Sequence, residues 1–214
     1  MVQPTNNKIT LCGVVSEKPV FSHEVFGERF YTFDLRVERL SGQLDVLPVV
    51  VSERLISDIE ITEGKRFLIE GQLRSYNIIT ENKSRLQLQT FVREIFPDES
   101  NEDVNQIILN GYICKTPIYR VTPFSREIAD VLIAVNRAYG KSDYIPSICW
   151  GRNARYCQQL NVGDSIHIEG RLQSREYQKK IDEDTVISKI AYEVSVSKLS
   201  IDQEYESEDE YFDE

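Results

Sequence analysis

Tyr139, Tyr144, Trp150 and Tyr177 stand among Arg137, Lys141, Arg152, Arg155, Arg171, Arg175, Lys179 and Lys180. Aromatic rings interleaved with cations are the side chains that a groove for single-stranded nucleic acid needs. Every base has a π-face, so rings along a groove hold a strand with little sequence preference, at about 1 to 3 kcal/mol per stacked base. Lys and Arg add phosphate contacts that weaken as salt rises. Each residue also has a plainer reading. A lone tryptophan in a small domain more often packs a core, and single surface cations are usually only solvated. Tyr139, just before Gly140, is equally suited to packing on its own loop.

Other chemistries find no support. Gly140-Lys141-Ser142 lacks the glycine that a phosphate-binding loop needs five residues earlier, where Val135 stands. There is no His-x-Glu with paired cysteines, no Ser/His/Asp order and no set of carboxylates spaced to hold a metal. Cys12, Cys114, Cys149 and Cys157 lack zinc-type spacing and read as reduced and structural. His23 and His167 have no partners in motif range. The expectation is a non-enzyme without metal or cofactor.

The elements that must position the rings occur twice. Asn7-Lys8-Ile9-Thr10-Leu11-Cys12-Gly13 returns 98 positions later as Asn105-Gln106-Ile107-Ile108-Leu109-Asn110-Gly111, and Pro19 and Pro48 return as Pro117 and Pro146. Gly64, Ile69-Glu70-Gly71 and Leu73 match Gly163, Ile168-Glu169-Gly170 and Leu172 at an offset of 99. The offset slips by one residue, so this is a duplicated module, and 214 residues suit two domains of about 100 each. Where the second copy has Tyr139, Tyr144, Trp150 and Tyr177, the first has Ser41, Val46, Ser52 and Ile78. The expected division is a degenerate module over 1–97, an acidic linker over 98–104, a second module over 105–201 and a tail over 202–214.

The net charge of -10 is distributed unevenly. The tail holds eight acids and no base, leaving 27 acids against 25 bases in the rest of the chain. Residues 105–201 carry 13 bases against 10 acids, and residues 1–104 carry 12 against 17. The second module has the balance suited to phosphates.

Ile166, Ile168, Gly170 and Leu172 alternate with His167, Glu169, Arg171 and Gln173, a strand with one buried and one solvent face. Arg175 and Tyr177 continue the solvent face, and Tyr144, Pro146, Ile148 and Trp150 share a side of the preceding strand. Between them, Ala154, Tyr156, Cys157 and Leu160 have helical spacing and stop at Asn161-Val162-Gly163. Each copy therefore reads as three strands, a helix and two strands, the order of the small closed barrel called the OB-fold. Gly71 and Gly170 fit the tight bend such a barrel requires. Glu176 to Asp184, charged and poor in apolar residues, reads as a flexible hairpin able to close over a strand.

The second copy resembles the bacterial single-stranded DNA-binding (SSB) family. The resemblance rests on Asn105 to Gly111, Thr116-Pro117, Thr122-Pro123, Ile133 to Gly140, Asp143-Tyr144-Ile145-Pro146, Cys149-Trp150-Gly151 and Ile168 to Arg175. The first copy is similar only in skeleton, through Ile69 to Tyr76. The resemblance implies an all-β chain of two tandem OB-folds, base stacking on Tyr139, Tyr144, Trp150 and Tyr177, and coating of single-stranded DNA in replication, recombination and repair. It also implies a homodimer presenting four barrels, with the first copy mainly an assembly surface.

The tail Asp202 to Glu214 is an acidic run expected to be disordered. In the family such a tail ends in an apolar tip, usually Pro-Phe, that docks replication and repair proteins. Here the end is Tyr211-Phe212-Asp213-Glu214 without proline, so Tyr211 and Phe212 are the candidate docking residues and a merely solubilising tail is the alternative. No stretch nears the roughly 18 apolar residues of a membrane span, and no signal pattern opens the chain. A cytoplasmic, nucleoid-associated protein is expected. A protein-interaction scaffold with weak nucleic-acid affinity is the competing reading, and stacking alone does not separate DNA from RNA.

Overall fold

The computed structural model describes residues 6–80, 83–180 and 186–201. The first copy runs β1 (Asn7–Val15), β2 (Val20–Val25), β3 (Glu28–Glu38), β4 (Leu44–Ser52), the single-turn helix α1 (Glu53–Ile56), β5 (Arg66–Thr80) and β6 (Lys83–Pro97). The second repeats it with β7 (Val104–Ile113), β8 (Ile118–Val121), β9 (Glu127–Asn136), β10 (Ser142–Trp150), α2 (Arg152–Cys157), β11 (Ser165–Lys180) and β12 (Val186–Ile201). A short 3-10 turn, Ala138–Gly140, precedes β10.

Each copy closes a five-stranded barrel. In the first, β1 pairs with β3, β3 with β4, β4 with β6, β6 with β5, and β5 returns to β1, with β4 and β6 parallel. The second repeats the circuit through β7, β9, β10, β12 and β11, again with one parallel pair, β10 with β12. This is the expected OB-fold, with one addition per copy. β2 and β8 are short strands on the outer edges of β3 and β9, beyond the barrel proper. They are short and show no alternation of buried and exposed residues, β2 being exposed along its whole length.

The helix of the second copy is shorter than the stretch from Gly151 to Gly163. Ala154 and Cys157 face the core, Tyr156 faces solvent, and the chain turns after Cys157 so that Leu160 reaches the core from a turn. In the first copy Ser52 caps α1, its hydroxyl accepting the Arg54 N–H at 3.2 Å.

Gly71 and Gly170 have a specific task. Both sit at register shifts, between Glu70 and Gly71 and between Glu169 and Gly170. A Cβ there would stand 2.4 Å from the Phe91 carbonyl oxygen or 2.3 Å from that of Ser195. Just past each bulge an asparagine side chain takes over the ladder. Asn7 Nδ2 donates to the Leu73 carbonyl at 2.8 Å and its Oδ1 accepts the Leu73 N–H at 2.9 Å; Asn105 does the same with Leu172 at 2.7 and 2.9 Å.

The copies are joined by antiparallel pairing of β1 with β7, from Asn7 opposite Leu109 to Cys12 opposite Val104. Ile9 thus faces Ile107, its own counterpart in the repeat, so an approximate twofold axis runs through two fully buried isoleucines. The acidic segment between the copies is pinned by Arg66, which pairs with Asp98 at 3.3 Å and Asp103 at 2.7 Å. The four cysteines are free, three of them buried. No described helix is long and apolar enough to cross a membrane.

Candidate nucleic-acid interface

Trp150 ends β10, and its ring, 38% exposed, stands over the neighbouring strand β12, where its indole N–H donates to Ser195 Oγ at 3.1 Å. That bond fixes one edge of the ring and leaves a face in a groove of about 890 Å³. Arg126, Arg171 and Arg175 line the same groove, with Asn105, Gln173 and Ser195. Burial and the nearby Arg39 lower the Arg171 pKa, with Asp45 opposing them, and its Nε has no hydrogen-bond partner among the described residues. Beyond Trp150 the depression continues past Arg152, Asn153 and Lys198.

One wall comes from the other copy. Arg39 and Gln43, both in the turn between β3 and β4, line the Trp150 groove. Arg39 is held by fully buried Asp45, donating Nε to Oδ2 at 2.6 Å and Nη2 to Oδ1 at 2.6 Å. The same carboxylate accepts the Ser174 N–H at 2.7 Å, which clamps the two copies together. The hydrogen bond to Asp45 raises the Arg39 pKa against the lowering effect of burial.

The twofold relation repeats the clamp. Asp143 accepts the Ser75 N–H at 2.6 Å, and Arg137 Nε lies 2.9 Å from its other oxygen. Burial raises the Asp143 pKa against the opposing Ser75 hydrogen bond and the charges of Arg137 and Arg74. Arg137, Lys141 and Tyr139 therefore line a different groove from Trp150, one whose other wall is Asn7, Gln72, Arg74 and Arg93 of the first copy. Tyr139 is 99% exposed and holds a left-handed backbone, φ 63°, at the tip of the 3-10 turn.

The remaining candidates are scattered. Tyr144 is 47% exposed on the solvent side of β10, its N–H donating to Ser75 Oγ at 2.8 Å. Tyr177, half-buried on the β11 and β12 arm, has the Arg175 guanidinium 5.7 Å from its ring centre. Arg155 pairs with Glu127 at 3.6 Å and lines neither groove. Lys179 and Lys180 end β11, which pairs with β12 as the arm of a hairpin down to Lys180 opposite Val186, and residues 181–185 lie outside the described ones. Tyr211 and Phe212 also lie outside them.

Sequence reasoning missed Arg39, Gln43 and Arg126 in the Trp150 groove, and Arg74 and Arg93 in the other. A signal existed for the first pair of clamps. The offset of 98 that relates the copies carries Arg39 and Asp45 onto Arg137 and Asp143, so the same two residue types were already written at equivalent places.

Residues 104–201 match the single-strand binding protein family. Over 82 residues the chain is 33% identical to the single-stranded DNA-binding protein of Bacillus cereus, which is 35% of this chain and 48% of that protein. It is 31% identical over 86 residues to single-stranded DNA-binding protein B of Bacillus subtilis, 36% of this chain and 74% of that one. The chain thus spans about half the length of the first of these relatives and about three quarters of the second. The wild-type single-stranded DNA binding protein of Thermus aquaticus superposes over 92% of this chain and 93% of its own, with a TM-score of 0.73 at 21% identity, a likeness of fold that includes both barrels. By these matches the chain belongs to the single-strand binding protein family.

Proposed function

We propose that this chain coats and protects single-stranded DNA during replication, recombination and repair. The observation that carries the reading is Trp150, tethered by Ser195, with a ring face in a groove walled by Arg39, Arg126, Arg171 and Arg175. A base stacks on the indole while its neighbouring phosphates meet guanidinium groups from both copies. Tyr144 and Tyr177 extend the track beyond the groove, and Arg152 carries it past the tryptophan. Stacking on ring faces and contact with phosphates do not read base edges, so binding is expected to be tolerant of sequence. Modules 1–97 and 105–201 act as one rigid pair, and two such pairs assemble into a dimer of four barrels. Tyr211 and Phe212 dock a replication or repair protein through the acidic tail.

The test is anisotropy of a labelled oligo-dT of about 30 nucleotides against duplex of equal length, at low and moderate salt. The reading requires tight binding to oligo-dT that weakens with salt, and much weaker binding to duplex. Equal affinity for both, or none, overturns it. Light scattering that gives a monomer would remove the four-barrel assembly and leave the groove reading intact.

A further inference from the structure

Each copy adds one strand outside its barrel, β2 in the first and β8 in the second, and these two end the twelve-strand order of the chain. β2 pairs with β3 and β8 with β9, so among the described residues the far edge of each has no strand beside it. A free edge is a row of N–H and C=O groups open to a further strand, and lysine on the strand is a common guard against such pairing. Neither Val20–Val25 nor Ile118–Val121 contains a lysine. The exposed side chains there are instead largely apolar: Val20, Phe21 and Val25 on β2, Ile118 and Val121 on β8. Both edges are short, which limits any pairing to a few residues.

The turns beyond these edges carry a phenylalanine at the same place. Phe26 and Phe124 are equivalent at the offset of 98, and both are almost wholly exposed. Phe26 and Gly27 make the two-residue turn from β2 to β3, with φ of 50° and 77°. A left-handed backbone at the first of these positions suits Asn, Asp or Gly and is strained for a bulky ring. Phe124 sits in a turn stiffened by Pro123, where the Ser125 N–H donates to the Thr122 carbonyl at 2.9 Å and the Arg126 N–H to Thr122 Oγ1 at 3.1 Å. Rings so exposed add nothing to either core, and their occurrence in both copies points to a contact outside the chain. The edges are already braced for one. Phe21 meets Tyr31 edge-on at 6.1 Å, His23 stacks on Phe30 at 5.0 Å, and Arg120 holds Asp130 through hydrogen bonds of 2.9 and 3.1 Å. A partner would have little left to order.

Charge selects the partner. Residues 17–29, around β2, hold three acids and two bases, whereas their equivalents 115–127, around β8, hold three bases and one acid. Unlike edges attract and like edges do not, so the surface that fits the β2 hairpin is the β8 hairpin of a second copy. Each chain has one of each, and such a contact repeats head to tail without closing.

We propose that neighbouring copies of this chain join end to end, the β2 edge and Phe26 of one against the β8 edge and Phe124 of the next. This rests on the reading that the chain coats a single strand, which sets copies side by side. The contact is separate from strand binding itself, since neither edge strand nor either phenylalanine lines a groove.

The full chain and its variants Phe26→Ser and Val20→Lys are compared on a dT strand of about 300 nucleotides at subsaturating protein, with the mass of each complex counted singly, and on an oligo-dT of about 30 nucleotides by anisotropy. The native chain should cluster, leaving some strands bare and others filled. Phe26→Ser alone should weaken every junction, because each holds one turn of each kind, and lower the preference for neighbouring over isolated sites by about 10-fold. Val20→Lys, which puts the missing guard on the edge, should act in the same direction, and affinity for the short oligo-dT should stay native in both. Native clustering in both variants, or even spreading of the native chain on the long strand while it binds the short one, overturns the end-to-end contact and leaves the coating reading intact. Failure of the native chain to bind either strand overturns the coating reading, and this inference with it.

Discussion

The two grooves share a skeleton and differ in their rings: Trp150 lines the one, whereas Phe91 stands behind Arg74 and Arg93, which line the other. In the second copy Trp150 on β10 leans on Ser195 of β12; in the first, Ser52 stands on β4 and Phe91 on β6. Both arrangements use the one place where two strands of the barrel run parallel, and both sit beside a glycine bulge that brings the strand carrying Ser195 or Phe91 unusually close. What the barrel specifies is a location for an aromatic side chain, and either strand can supply it. The cations are less interchangeable, because each groove borrows an arginine from the opposite copy through a buried aspartate. A barrel separated from its partner would lose one wall of its groove.

The largest effect expected is on affinity. Trp150→Ala with Tyr144→Ala should weaken oligo-dT binding by about 2 to 6 kcal/mol, two stacked bases' worth, measured by anisotropy. A protein-interaction scaffold would keep its partner binding through that change. The clamps come next. Asp45→Ala leaves Arg39, 15% exposed, without its counter-charge and the Ser174 N–H without its acceptor, and should cost about 3 kcal/mol in denaturant unfolding, with Asp143→Ala costing a similar amount. Equality of the two would support a symmetric junction, and a large inequality would break the comparison. Gly170→Ala should destabilise by about 2 kcal/mol, since its Cβ meets the Ser195 backbone and not a flexible side-chain end. Ser195→Ala removes only the tether of the indole and should weaken binding by about 1 kcal/mol while leaving the unfolding midpoint nearly unchanged. The smallest effect is that of Arg175→Gln, which should flatten the salt dependence of binding by about 0.7 of a logarithmic unit per unit of log salt.

The repeat made the architecture legible before any coordinates, because Asn7 and Asn105, Gly71 and Gly170 each do backbone work that no other residue type does as well. Asparagine extends a ladder with its side chain, and glycine admits a carbonyl within van der Waals distance. Strand parity also located Tyr144 and Trp150 on one solvent-facing side of β10. The contents of the grooves were less legible. Arg39 and Arg137 cross to the opposite copy, a relation that depends on the β1 to β7 pairing and has no trace in local periodicity. Tyr139 was grouped with Trp150 by its place in the chain, yet the twofold arrangement sets it over the groove of the first copy. Phe91 was invisible for another reason. Position-by-position comparison of the copies found serine where tryptophan was sought, and a ring displaced sideways by one strand leaves no mark at the aligned position.

The most direct test is the emission of Trp150 during titration with oligo-dT, at low and then moderate salt, with duplex as control. Strong quenching by oligo-dT alone, weakening as salt rises, is the predicted result, since the ring face lies in the groove beside Arg171 and Arg175. Emission that stays constant while oligo-dT demonstrably binds would mean that the strand runs elsewhere on the molecule, and the central role given to this groove would be wrong.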